Sequence, residues 1–317
     1  IHIKKVNLLL SKRHSEELYK DKQTVEFKIR EIIKNNPDKK IFFDVVTSIN
    51  NEIFEKCVLE TDIQLSISAP WIYKQKHIDL CPNLIQLHCT SLPTFRGGGH
   101  LSWRILSGIN YSSVVLFKVD TGIDTGEMVL NKKFFFPKEC HKPQDYITYI
   151  HYQANKSIQS FLKNYISTKK LPKSIAQQES FSTYFPRLDS MIHGFINWEW
   201  DAKQVEKFIT AFDNPYPGAI TKLTNYENNL HLKGALLLEE YGNFHPFQQG
   251  LVFRKDSHGI YICSINGSIL VSEVINEKGK KINDEINIGE RFYNLSKDIE
   301  KALSTRVKYT SKGLKNK

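Results

Sequence analysis

The chain has 317 residues, 40% of them apolar, and 44 Lys and Arg against 34 Asp and Glu give a formal net charge of +10. That length suits two domains, each with its own core. No stretch approaches the roughly 20 uncharged apolar residues of a membrane span, and no start combines a basic segment, an apolar run and a small-residue cleavage site, so a cytoplasmic protein with no membrane role is expected.

In chain order, the first half alternates short apolar runs with amphipathic segments. Strands are expected at Val6 to Leu10, Lys40 to Val46, Asp62 to Ile67 and Leu84 to His88, with helices over residues 15–35 and 51–59 between them. Apolar strands separated by helices are the pattern of a parallel sheet covered on both faces. A glycine-rich loop, Gly97 to Gly99, opens a helix that ends near Gly108; strands at Ser113 to Val119 and Met128 to Phe135 follow. The near-3.6 spacing of Ile147, Ile150, Ala154, Ile158, Phe161 and Leu162 predicts a long helix over 143–166, closed off by Pro172.

Residues 169–182 read as a polar linker, and Asp201 begins a helix over 202–212. Five strand-like runs then lie at residues 220–223, 230–239, 250–254, 259–265 and 268–275, separated by turn residues as in a small β-barrel. The expected fold is α/β: a Rossmann-like, mostly parallel catalytic domain (1–168), a linker and bridging helix (169–218), and a small OB-like β-barrel with a basic tail (219–317).

Three chemistries meet in the first domain. Gln86 offers a carboxamide and His88 an imidazole at the end of one strand, and Asp124 offers a carboxylate in the turn between Gly122 and Gly126. An amine attacking a carbonyl-like carbon needs a proton acceptor, a donor for the oxygen that becomes negative, and a carboxylate to orient and charge-match the imidazole. Each residue also has an ordinary alternative: a strand-end amide bonded to backbone, a satisfied core imidazole, a turn-forming Asp.

Arg96 and Gly97 at a helix entry suit a phosphate or carboxylate, and His100 and Trp103 are placed to face an acceptor. Trp71, Ile72 and Tyr73 follow a strand, where α/β sheets place ligand loops. Cys57, Cys81, Cys89, Cys140 and Cys263 are scattered with no Cys-x-x-Cys pair, which suggests neither a disulfide framework nor a zinc site. No dinucleotide or phosphate-loop motif occurs, which disfavours nicotinamide and nucleoside triphosphate chemistry.

Gln86-Leu-His88, Ser91-Leu-Pro93, Arg96-Gly97 and Asp120-Thr-Gly-Ile-Asp124-Thr-Gly126 resemble, in the same order, the motifs of the formyltransferases that use 10-formyltetrahydrofolate. Tyr184-Phe-Pro-Arg187, Ile196-Asn-Trp198 and Phe212-Asp-Asn-Pro-Tyr-Pro-Gly218 look like the linker and barrel entry of the methionyl-tRNA and nucleotide-sugar members. The resemblance implies formyl transfer from 10-formyltetrahydrofolate to a primary amine, with Gln86, His88 and Asp124 catalytic. It further implies that Trp71 to Tyr73, Asp120 and Gly122 lie on the cofactor side and Arg96, Gly97, His100 and Trp103 on the acceptor side. Two departures stand out: the family begins with a strand and glycine-containing loop ahead of the segment matched here, and its catalytic Asn is Gln86.

The acceptor expected is a nucleotide-linked amino sugar. Ser11 to Leu18 lacks the glycine-and-proline-rich basic loop of tRNA formyltransferases, and Trp71-Ile-Tyr73 replaces their usual Tyr-Gly. The alternatives are initiator methionyl-tRNA, which suits the sequence pI near 9.1, and a folate- or nucleotide-binding homologue that has lost catalysis. A dimer is one open assembly state.

Overall fold

The computed structural model describes residues 3–18, 21–98, 101–240 and 242–307, and the backbone of 309–310 and 313–314. The expected basic tail therefore lies largely outside the described residues. Among them, no helix is long and apolar enough to cross a membrane.

The chain opens with β1 (Val6–Ser11), α1 (Lys12–Ser15), α2 (Val25–Lys34) and β2 (Ile41–Val46). The single helix expected over 15–35 is helical only at Ser15, which ends α1, and over α2. Ser11 caps the first and Thr24 the second, its side chain accepting from the Phe27 N–H at 3.1 Å. Between them Lys22 sits at φ 63°, a left-handed conformation that no continuous helix admits. Strands β1 and β2 pair in parallel, Val6 opposite Ile41.

Next come α3 (Glu52–Leu59), capped by Asn51, then β3 (Gln64–Ile67), α4 (Gln75–Leu80), β4 (Leu84–His88), β5 (Arg96–Gly97), α5 (Leu101–Leu106), β6 (Tyr111–Lys118), β7 (Met128–Phe135) and α6 (Pro143–Thr168). The second sheet runs β3-β4-β6-β7; its first pair is parallel, and the β4–β6 and β6–β7 pairs are antiparallel. Helix α6 lays Ile150, Ala154 and Phe161 on this sheet, where Ile85, Val114 and Leu116 are fully buried.

Strands β1 and β3 do not pair. A cavity of about 260 Å³ lies between them, lined by Asn7 to Ser11 on one side and Ile63 to Ile67 on the other.

Beyond α6 the expected linker is ordered by pairing. Ile175 exchanges backbone hydrogen bonds with Met128, both 2.9 Å, and β8 (Tyr184–Phe185) runs parallel to β5. Then α7 (Ser190–His193) and α8 (Ala202–Ala211) lead into β9 (Ala219–Leu223), β10 (Tyr226–Leu238), β11 (Val252–Asp256), β12 (Gly259–Ser264), β13 (Gly267–Asn276), β14 (Phe292–Tyr293) and α9 (Ser296–Ser304).

Six antiparallel strands follow the order β11-β12-β13-β10-β9-β14. The Leu251–Arg291 bridge, with the Phe292 N–H donating to the Gly250 carbonyl at 2.8 Å, brings the two edges together and curls the sheet into a barrel. Helix α8 packs Val205, Phe208 and Ile209 into the same core as Leu230, Leu232, Val252 and Ile269. The two-residue β14 and the helix α9 were not expected from sequence: β14 is too short to carry a period-2 pattern.

Candidate functional site

Strand β4 presents alternate side chains to one face, so Gln86 and His88 point the same way. The loop between β6 and β7 brings Asp124 back to them. The Gln86 Nε2 donates to Asp124 Oδ1 at 3.4 Å, and the His88 Nδ1 stands 3.9 Å from Asp124 Oδ2. The carboxamide, imidazole and carboxylate, 38 positions apart at most, therefore share one small space. His88 and Asp124 have 6% and 10% of their side chains exposed, which keeps their mutual field poorly screened.

The far side of the imidazole is fixed. His88 Nε2 lies 3.0 Å from the Phe95 carbonyl and in hydrogen-bond contact with the Thr90 hydroxyl, which itself donates to that carbonyl at 2.8 Å. A carbonyl oxygen can only accept, so the neutral ring carries its proton on Nε2 and presents Nδ1 as the basic nitrogen on the Asp124 side. Thr90 was not singled out from sequence, where a hydroxyl two residues after a His carries no signal of its own.

Asp124 occupies φ 56°, and its Oδ2 accepts the Gly97 N–H at 2.8 Å. Gly97 is required as glycine: at φ 73° an added Cβ would lie 2.3 Å from the Tyr184 ring. Gly126 is required too, because its Cβ would lie 1.7 Å from the Lys118 carbonyl oxygen. Gly97 thus holds the Asp124 carboxylate through its backbone, a different task from the acceptor contact expected of it. Asp120 Oδ1 accepts from the Gly122 N–H at 3.0 Å and the Thr125 hydroxyl at 2.6 Å, so both Asp120 and Gly122 build this loop.

Arg96, expected on the acceptor side, has a guanidinium that is buried and engaged within the chain: Nη1 donates to Glu179 Oε2 at 2.8 Å, Nη2 to the other Glu179 oxygen, and Nη2 and Nε to Gln177 Oε1 at 2.9 and 3.3 Å. The hydrogen bond to Glu179 pushes the Arg96 pKa up. The Trp103 indole N–H donates to the Pro186 carbonyl at 2.8 Å and its ring packs on Phe185. His100 lies outside the described residues.

Trp71 and Tyr73 line the cavity between β1 and β3, whereas Ile72 is 76% exposed. The Tyr73 hydroxyl donates to Ser66 Oγ at 3.1 Å, and Ser66 is in register with Gln86 across β3 and β4. Among the described residues the Trp71 Nε1–H is buried without a hydrogen-bond partner, an unmet donor beside that cavity.

Nearby, Arg104 is buried over the Phe95 ring at 5.0 Å, with its Nη1 donating to the Tyr111 carbonyl. Burial pulls its pKa down to about 10.

Comparison with known proteins places a chain of this fold among transferases. A family model for the formyl transferase C-terminal domain matches residues 191–288. The methionyl-tRNA formyltransferase of Ruminiclostridium cellulolyticum is 23% identical over 244 residues, 74% of this chain and 75% of that protein.

Among solved structures, HypX from Aquifex aeolicus in complex with tetrahydrofolic acid aligns with a TM-score of 0.59 at 16% identity over 95% of this chain, which spans 48% of HypX. The N-formyltransferase from Helicobacter canadensis, in complex with folinic acid and dTDP-3-aminofucose, aligns with a TM-score of 0.54 at 19% identity, covering 88% of this chain and all of that one. Residues 191–288 thus match the formyl transferase C-terminal domain, and the chain is similar over about three quarters of its length to a methionyl-tRNA formyltransferase.

Proposed function

We propose that this protein moves a formyl group from 10-formyltetrahydrofolate to the primary amine of a nucleotide-linked amino sugar. The observation that carries the chemistry is the approach of Gln86 Nε2 and His88 Nδ1 to the two oxygens of one buried carboxylate.

In this reading the neutral amine attacks the formyl carbon and a C–N bond forms. The His88 Nδ1 takes the ammonium proton as it acidifies, and Asp124 stabilises the resulting imidazolium. The Gln86 carboxamide donates to the formyl oxygen as it becomes negative, a contribution of about 3 kcal/mol when well aimed. Collapse breaks the bond to the folate nitrogen, which leaves with the proton returned by His88.

The sugar acceptor draws support from the Helicobacter canadensis enzyme, whose whole length is covered by this chain. It also draws on the Ser11 to Leu18 segment, which contains the short helix α1 and carries no glycine or proline. A second reading, methionyl-tRNA as acceptor, is favoured by the name of the Ruminiclostridium relative and by the net charge of +10.

Incubation with 10-formyltetrahydrofolate and either dTDP- and UDP-linked amino sugars or methionyl-tRNA, followed by mass spectrometry, separates the two. A formylated sugar supports the first reading and a formylated methionyl-tRNA supports the second. Absence of both products, with the folate bound, overturns formyl transfer.

A further inference from the structure

Gln177 lies in the stretch between the domains whose sequence reads as a polar linker. Its carboxamide nitrogen donates to the carbonyl of Asp124 and to that of Gly126, both at 2.8 Å, while its Oε1 accepts from Arg96. Reversing the amide would set its oxygen against two carbonyls and its nitrogen against a guanidinium, so the surrounding groups fix its orientation.

The same stretch is tied down on both sides of Gln177. Ile175 pairs with Met128, Glu179 with Arg96, and Thr183 donates its N–H to the Pro93 carbonyl at 3.1 Å. The Arg96 N–H donates to the Thr183 carbonyl at 3.0 Å and the Gly98 N–H to that of Phe185 at 2.7 Å. Residues 175–185 thus join the two segments that meet at the site: 93–98, which supplies the Gly97 N–H to Asp124 Oδ2, and 124–128, which carries Asp124.

We propose that this stretch belongs to the catalytic apparatus and that Gln177 is a positioning residue, holding the left-handed Asp124 backbone so that its carboxylate faces His88. The inference rests on the reading of Asp124 as the charge partner of His88. Two donors on one nitrogen beside one acceptor are what the site uses, and Gln supplies them at this reach. A loop freed from this tie would let the carboxylate drift by an ångström or so, a displacement on the order of 100-fold in rate.

The test uses the full chain, with turnover followed as tetrahydrofolate release in the presence of the acceptor found by mass spectrometry. Gln177→Met keeps the side-chain volume and removes every hydrogen bond. It is expected to lower kcat by about 10- to 100-fold, with KM for 10-formyltetrahydrofolate and the melting temperature little changed. Gln177→Glu places a carboxylate against two carbonyl oxygens, so it should lose more at neutral pH and recover in part as pH falls and the new side chain is protonated.

In an Asp124→Asn background, Gln177→Met should cost nothing further, because a residue acting through Asp124 has nothing left to position. Wild-type kcat in Gln177→Met, with Asp124→Asn inactive, overturns this proposal and spares the function. The same loss for Gln177→Met with and without Asp124 also overturns it. Full transfer by Asp124→Asn overturns the role of Asp124 and this inference with it.

Discussion

The barrel and the domain that carries the site solve the packing problem in opposite ways. In the barrel, Leu230, Leu232, Val252, Ile260, Ile262 and Ile269 are fully buried and share one continuous core with α8. Among the described residues the first domain lends Ile105 to that core and divides the rest of its interior among four separate clusters. Helix α2 buries no residue there, leaving Phe27 46% and Ile32 60% exposed. A cavity also separates the edges of β1 and β3. The continuous core therefore lies in the barrel, while Gln86, His88 and Asp124 sit at a strand end and in a glycine-flanked turn of a domain whose interior is divided.

The largest effects should appear where that division is attacked at the site. Asp124→Asn and His88→Ala are each expected to lower kcat/KM for formyl transfer by more than about 10³-fold. The barrel's unfolding transition should be unmoved, because neither side chain contributes to its core. Steady-state kinetics beside thermal melts check both halves of the statement. A melt that drops along with activity would mean that the two regions are one cooperative unit. Next in size is Gln86→Ala, with a loss of about 100-fold in kcat from the missing oxyanion donor; Gln86→Asn, which withdraws the amide by about 1.5 Å, should fall between.

The converse substitution tests the barrel. Leu232→Ala removes a fully buried side chain from the continuous core and is expected to cost about 2 to 5 kcal/mol in denaturant unfolding. Ile32→Ala, on the exposed face of α2, should cost under about 0.5 kcal/mol. Equal costs would erase the contrast. Formyl transfer per folded molecule should survive Leu232→Ala at low temperature.

How much of this was legible in the sequence follows from the range of the interactions involved. Gln86, His88 and Asp124 are readable because a strand alternates faces and a Gly-flanked turn returns the chain, both local rules. The barrel strands are readable for the same reason, and the observed β12, Gly259–Ser264, lies within the run expected from its apolar pattern. The partners of Arg96 are not, since Gln177 and Glu179 lie 81 and 83 positions away in a segment whose polar composition matches any solvated linker. Nor is the break in the first helix, which turns on the positive φ of Lys22, a residue type that favours helix. Thr90 escaped notice because its role is defined by a carbonyl, and every residue has one.

The smallest expected effect separates the two regions by pH. His231 is buried on β10 opposite Ile220, and burial holds its pKa below the ordinary histidine value. A base whose pKa is lower in the folded state than in the unfolded chain takes up its proton more readily on unfolding. It contributes stability above its unfolded pKa, and that contribution is lost as pH falls through the folded value. Thermal melts between pH 8 and 5 should therefore show the barrel's transition dropping on the acid side, and His231→Gln, which cannot take up the proton, should flatten that drop while leaving formyl transfer at neutral pH unchanged. An unaltered acid slope in the variant would place the barrel's pH sensitivity elsewhere, and a matching change in the catalytic pH profile would show that the barrel's protonation reaches the site in the other domain.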